Sequence, residues 1–255
     1  MRLNPHLIMM GQGPPLVLVH GWGWDASIWQ TLVPELSKYY QLLMIDLPGA
    51  GQNITELSAY TLDEIAQTIF SGLPNKATWL GWSLGGLLAW WIAIHYPKKI
   101  TQLITVASSP CFLQDENWPG IKKNTLTTFS ESLLKNREAC LTEFLTLQLR
   151  GHPNKETLFS LLKNNMLTAN QSGTKALLGG LQLLCETDLR SQLNQIQCPS
   201  LHIFGSHDTI VPVTVTEFLQ PLVPAGKCEI IKRAGHIPFL SQQQDFLNLL
   251  KINTF

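Results

Sequence analysis

The chain has 255 residues, 45% hydrophobic and 14% charged, and its 18 basic and 18 acidic residues cancel. That length and apolar share support a sizeable globular core and exclude a disordered chain. Balanced charge offers no global attraction to nucleic acid or an anionic membrane, so neither is expected as a partner. Five cysteines, Cys111, Cys140, Cys185, Cys198 and Cys228, form neither an even disulfide set nor a C-x-x-C pair. They suit free thiols in a reducing cytoplasm, where the chain is expected to act.

Leu7 to Met10 is a short apolar run, but Gly11-Gln12-Gly13-Pro14 interrupts it and no small-residue cleavage site follows, so secretion is not expected. Leu16 to Val19 is apolar without alternation and ends in His20-Gly21-Trp22-Gly23, which predicts a strand buried on both faces followed by a loop. Gln41 to Leu47 predicts a second strand, ending in Asp46-Leu47-Pro48-Gly49. A helix is expected over Leu62 to Leu73, a strand over Ala77 to Gly81, a helix over Leu87 to Ile94 and a strand over Ile100 to Val106. Strands alternating with helices imply a mostly parallel central sheet flanked by helices, an α/β architecture whose ligands gather at the carboxyl ends of the strands. The nearly continuous apolar run from Leu80 to Ile94 is shorter than the ~20 residues that span a bilayer, and reads as buried core.

From Phe112 to Arg190 strand signals give way to helical spacing, recurring over Phe129 to Leu134, Leu141 to Leu149, Leu158 to Leu167 and Leu177 to Leu184. The expected organisation is a core of residues 1–111 and 191–255 with a helical lid inserted at 112–190. Strands resume at Leu201 to Phe204 and Cys228 to Ile231, and a closing helix is expected over Phe246 to Ile252. Between Lys122 and Lys175 eight basic residues face four acidic ones, a local charge of +4. A solvated helical surface would explain that bias equally well.

Chemistry points to Gly81-Trp82-Ser83-Leu84-Gly85. A serine between a strand and a helix sits on a sharp, strained turn that lifts its hydroxyl clear and leaves N–H groups of the first helical turn free to face an anion. The same pentapeptide also occurs as a simple strand-to-helix turn. A nucleophilic serine further needs a base, and an acid to orient that base. In α/β-hydrolases the three follow in the order Ser, Asp or Glu, His, each after a strand. Asp208, in Phe204-Gly205-Ser206-His207-Asp208, and His236, in Arg233-Ala234-Gly235-His236, fit that order. Taken alone, Asp208 also reads as a turn or helix-capping residue, and His236 as a buried structural histidine. Asp25 and Asp46 precede the serine, Asp188 precedes the strand leading to Asp208, and His20, His95, His202 and His207 are less well placed than His236. An oxyanion needs two N–H donors, and Leu84, after the nucleophile, and Trp22, in the first loop, are expected to supply them. Trp82, Trp90 and Trp91 read as core packing. No phosphate loop, dinucleotide fingerprint or metal-spaced His/Cys set is found, so no cofactor and no metal are expected.

The chain further resembles the pimeloyl-[acyl-carrier protein] methyl ester esterases of biotin synthesis. The likeness rests on His20-Gly21-Trp22-Gly23, Asp46-Leu47-Pro48-Gly49, Gly81-Trp82-Ser83-Leu84-Gly85-Gly86, Val106-Ala107-Ser108-Ser109-Pro110-Cys111-Phe112, Trp118-Pro119-Gly120-Ile121-Lys122 and Gly179-Gly180-Leu181. This resemblance implies an α/β-hydrolase fold and a cytoplasmic serine carboxylesterase that frees methanol from pimeloyl-acyl carrier protein methyl ester. It implies a site of Ser83, Asp208 and His236, with Trp22 and Leu84 at the oxyanion, and substrate contacts from Phe144, Leu145, Thr146, Leu147 and Gln148 lining an acyl channel. It also implies an acyl carrier protein as partner, which the basic insertion would attract, and a monomer is expected. The family's lid arginines fall here on Ala139, Glu143, Glu156 and Ser160, leaving neighbouring Arg137, Arg150, Lys155 and Lys163 as docking candidates. A generalist short-chain carboxylesterase without a carrier, or a non-catalytic binding protein of the same fold, stand as the alternatives.

Overall fold

A computed structural model describes residues 7–150, 152, 154–169 and 174–254. Residues 1–6 and 255 of the expected core, and 151, 153 and 170–173 of the expected insertion, lie outside the described residues. In chain order the elements are β1 (Leu7–Met10), β2 (Pro15–Val19), α1 (Val33–Leu36), β3 (Gln41–Ile45), α2 (Leu62–Ile69), β4 (Ala77–Trp82), α3 (Leu84–His95) and β5 (Ile100–Val106). Then come α4 (Lys123–Lys135), α5 (Arg137–Gln148), α6 (Lys155–Ala169) and α7 (Thr174–Glu186), followed by β6 (Ser200–Gly205), α8 (Val215–Leu219), β7 (Gly226–Ile231), α9 (Pro238–Ser241) and α10 (Gln243–Thr254).

The seven strands form one sheet in the order β1-β3-β2-β4-β5-β6-β7, and every neighbouring pair is parallel except β1 with β3. Parallel strands are covered on both faces, which is why β2 and β3 read as nearly unbroken apolar runs and β4 and β5 as mostly apolar ones. β4 lies mid-sheet between β2 and β5, so the turn after it opens at the centre of the carboxyl edge, with the loop after β2 on one side and those after β6 and β7 on the other.

Three boundaries differ from the sequence reading. β1 adds an antiparallel edge strand whose Ile8, Met9 and Met10 are exposed, so its apolar run carries no burial pattern. The helix expected to reach Leu73 ends at Ile69, because Gly72 turns the chain at φ 89°. α3 starts at Leu84 instead of Leu87, taking the elbow glycines into its first turn.

Helices α4 to α7 lie between β5 and β6 in the chain, and α4 packs on α5 and α7 while α5 packs on α6. Their segment leaves and rejoins the sheet through one neck. Cys111 pairs with Asp188 in an antiparallel bridge, and Leu189 N–H donates to Pro110 O at 3.0 Å. Arg190 locks it, with its guanidinium 2.6 Å from Asp188, 2.7 Å from Asp115 and over the Trp118 ring at 5.2 Å. No helix among the described residues is long and apolar enough to cross a membrane.

Candidate active site

β4 ends at Trp82, and Ser83 takes φ 55°, ψ −118°, a conformation that L-residues hold only under constraint. Glycines make the turn possible. A Cβ on Gly81 would stand 2.2 Å from Gly85 O, and one on Gly85 2.4 Å from Val19 O. Hydrogen bonds hold the strain: Ser83 N–H donates to Val106 O at 2.9 Å, and Ser83 O accepts from Ser108 Oγ at 2.8 Å and from Gly86 N–H at 2.9 Å. Leu84 opens α3, so its N–H is one of the first-turn donors for which a helix has no internal acceptor.

The loop after β2 runs against this elbow, since a Cβ on Gly21 would lie 3.2 Å from Ser83 Cβ. Trp22 follows it, buried, with its ring edge-on to Phe144 at 4.9 Å and its Nε1 donating to Leu177 O at 2.7 Å. His20 braces the loop from beneath. Leu47 N–H donates to its Nε2 at 3.0 Å, which leaves the proton on Nδ1, 2.8 Å from Gly21 O. Burial lowers the His20 pKa, against the opposing pull of Asp46, so the ring stays neutral.

Beyond β6, Asp208 Oδ1 accepts from Ile210 N–H at 2.8 Å and Val211 N–H at 3.0 Å, which turns Oδ2 toward the loop after β7. There Oδ2 meets His236 Nδ1 at 2.8 Å, and His236 Nε2 lies 2.9 Å from Ser83 Oγ. All three side chains are buried. The chain of contacts runs acid, imidazole, hydroxyl, with His236 standing 28 positions from Asp208 and 153 from Ser83 in sequence. It fixes the imidazole tautomer with Nδ1 as donor to the carboxylate and Nε2 as acceptor for the hydroxyl. Trp82 supports it, donating from Nε1 to His236 O at 2.8 Å, so this tryptophan holds the imidazole loop as well as filling the core.

His202 and His95 stay apart. His202 lies within β6, stacked on Trp90 at 4.2 Å between Thr105 Oγ1 and Ser200 Oγ, and burial takes its pKa down to about 3. His95 stacks on Trp91 at 3.6 Å on the far end of α3. Asp46 receives Ala26 and Gln52 N–H groups and shapes the loop after β3; Asp188 is held by Arg190. Among the described residues no group of three or more His, Cys, Asp or Glu could hold a metal ion.

Above Ser83 is a cavity of about 220 Å³, roofed by the helical segment and lined by Trp22, Phe112, Leu126, Phe129, Leu181 and Ile210 among others. Of the stretch Phe144 to Gln148, only Phe144 and Leu147 line it. Five successive helical residues sweep more than a full turn, so they cannot share one wall. Leu145 is buried in the core, Thr146 lines a separate surface pocket with Phe159, and Gln148 Oε1 accepts from Trp24 Nε1 at 3.0 Å. Among the described residues, Leu145, Thr146 and Gln148 therefore stand outside the lining of this cavity. Phe129, Phe112 and Leu181 escaped the sequence reading as cavity residues because each sits in an ordinary apolar pattern. The quoted Gly179-Gly180 pair was a usable signal: Cβ atoms there would stand 2.3 Å from the Tyr60 ring and 2.7 Å from Trp22 Cδ1.

The docking candidates divide. Lys155 lies 3.8 Å from Glu156 and Lys163 3.8 Å from Glu138, whereas Arg137 and Arg150 have no ion-pair partner among the described residues.

Comparison with known proteins follows the same lines. The alpha/beta hydrolase fold family profile matches residues 14–243. The chain is 37% identical over 250 residues to a pimeloyl-[acyl-carrier protein] methyl ester esterase of Vibrio vulnificus, covering 98% of each chain. It is 40% identical over 241 residues to the protein of that name from Photobacterium profundum, covering 94% of each. Among solved structures it resembles an esterase from Exiguobacterium antarcticum, at TM-score 0.85 and 24% identity, covering 96% of this chain and 92% of that one. A bromoperoxidase from Bacillus anthracis gives TM-score 0.86 at 25% identity, covering 96% and 93%.

Proposed function

Because the chain belongs to the alpha/beta hydrolase family, and within it to the pimeloyl-[acyl-carrier protein] methyl ester esterases, we propose that it hydrolyses the methyl ester of pimeloyl-acyl carrier protein to the free acid and methanol, in the cytoplasm. The observation that carries this is the line from Asp208 through His236 to Ser83 Oγ at the floor of an apolar cavity.

In the reaction, His236 Nε2 takes the Ser83 proton as Oγ bonds to the ester carbonyl carbon. The resulting oxyanion accepts hydrogen bonds from the Leu84 and Trp22 N–H groups, which the elbow and the Gly21 loop hold in place before substrate arrives. Asp208 stabilises the imidazolium without taking its proton. His236 then gives that proton to the departing methoxide oxygen, leaving an acyl-serine. Water, deprotonated in turn by His236, attacks the acyl carbon and releases the carboxylic acid and free Ser83. The apolar walls suit a methylene chain and exclude competing water.

A second reading has an observation in its favour. Pairing of Lys155 and Lys163 with lid glutamates weakens the positive field that an acidic carrier would meet, which suits a generalist carboxylesterase. The two are separated by comparing hydrolysis of the carrier-borne ester with that of the free methyl ester at low and high salt. A carrier enzyme prefers the former and loses that preference as salt screens the encounter. Equal rates at both salt concentrations would leave the generalist.

A further inference from the structure

Among the described residues that line the cavity above Ser83, one carries a charge. Arg150, exposed, just past the end of α5 and one turn beyond Leu147, is the only ionisable one among the described lining residues, the others being apolar or carrying hydroxyls. Its backbone is anchored beside the reacting centre: its N–H donates to Leu147 O at 3.2 Å, and its carbonyl lies 3.4 Å from where a Cβ on Gly235, the neighbour of His236, would stand. The guanidinium itself has no hydrogen-bond or ion-pair partner among the described residues, although other lid cations have found glutamates. Nothing in the described fold consumes this charge.

An arginine is never neutral at ordinary pH, and its planar fork matches a carboxylate with two parallel hydrogen bonds. Ser83 marks where the ester carbonyl sits, and a cavity of about 220 Å³ accommodates a short chain. An acyl chain with its ester at Ser83 fills a cavity whose lining includes Arg150, so its far end can turn to that residue's long side chain. We propose that Arg150 recognises a carboxylate at that far end, so that carrier-free monoesters of short dicarboxylic acids are a further substrate class of this site. The step balances as ester plus water giving dicarboxylic acid plus alcohol, with the Ser83 chemistry unchanged. This rests on Ser83 as nucleophile and does not require the carrier.

The test measures kcat/KM of the full-length protein for two methyl esters, the monomethyl ester of a seven-carbon dicarboxylic acid and methyl octanoate. The ratio of the first to the second is read in wild type, Arg150→Lys and Arg150→Met, at low salt. The ratio should fall about tenfold in Arg150→Met, the size of a charge-assisted contact in a partly solvated site, with Arg150→Lys between. Added salt should lower it in wild type and leave it alone in Arg150→Met. Equal ratios in wild type and Arg150→Met overturn the proposal. If neither methyl ester is cleaved faster than by Ser83→Ala, the nucleophile assignment has failed instead, which is a separate outcome.

Discussion

Trp24 Nε1 donates a 3.0 Å hydrogen bond to Gln148 Oε1, tying the loop after β2 to the end of α5 across 124 positions of sequence. Both side chains are buried, and Trp22 makes a parallel tie from the same loop to Leu177 O on α7. Gln148→Leu strands the Trp24 indole N–H in an apolar site, which destabilises by about 1–3 kcal/mol. Trp24→Phe combined with Gln148→Leu should be less destabilising than the sum of the single changes, because both partners of one bond are then gone. Urea unfolding of the four proteins measures this, and simple additivity would mean the bond carries nothing.

Ser83→Ala and His236→Ala should each lower kcat for a methyl ester by about 10³ or more, with the double variant no worse than either alone, since the two act as one unit. Asp208→Asn should lose about 10⁴, because the amide selects the wrong imidazole tautomer. Steady-state kinetics on purified variants decide it; a Ser83→Ala protein within about tenfold of wild type would remove the serine from the chemistry.

Gly180→Ala separates activity from stability. Alanine in a helix interior normally gains up to about 1 kcal/mol over glycine, yet here its Cβ would come within 2.7 Å of Trp22 Cδ1. Trp22 must then turn, moving the backbone N–H proposed to hold the oxyanion. The expected result is a kcat/KM at least tenfold lower with a melting temperature near that of wild type; retained activity would show that the ring yields without disturbing the loop.

His202 makes the fold acid-sensitive from within the sheet. Burial takes its pKa down to about 3, while an unfolded histidine titrates near 6.5. Between these values the unfolded chain binds a proton that the folded chain refuses. Stability is therefore fully present above pH ~6.5 and declines as pH falls toward 3, by about 1.4 kcal/mol per pH unit within the window. Its neighbours Thr105, Ser200 and Trp90 do not titrate, so nothing beside it offsets the effect. Buried His20, lowered likewise, adds in the same direction. Denaturant midpoints between pH 7 and 4 should fall less steeply for His202→Gln than for wild type, and identical slopes would contradict the assignment.

The parallel sheet was legible because strands buried on both faces leave unbroken apolar runs, as in Leu16 to Val19 and Leu42 to Ile45. Ser83, Asp208 and His236 could be named because each follows a strand, and strand ends are marked by glycine and by the stop in apolar residues. Other features left no such mark. β1 is exposed and so has no burial period, and its place is set by pairing with β3. Trp24 and Gln148 meet only because the insertion folds back over the sheet, a long-range contact that no local pattern encodes. A run of five residues, Phe144 to Gln148, does not show which of them face the cavity; the helical turn that separates Leu145 and Gln148 from Phe144 and Leu147 does. Lys163 counts toward a basic surface in the sequence alone, and only the fold sets Glu138 beside it.

The neck at Pro110, Cys111, Asp188 and Leu189 has a consequence for ancestry and engineering. With the two ends of the inserted segment joined there, its length affects closure only logarithmically. The segment behaves as a cassette. Most of the described residues lining the cavity belong to it, while Ser83, Asp208 and His236 belong to turns at the sheet's carboxyl edge, so selectivity can drift or be transplanted from one lineage to another while the bond-breaking apparatus is inherited intact.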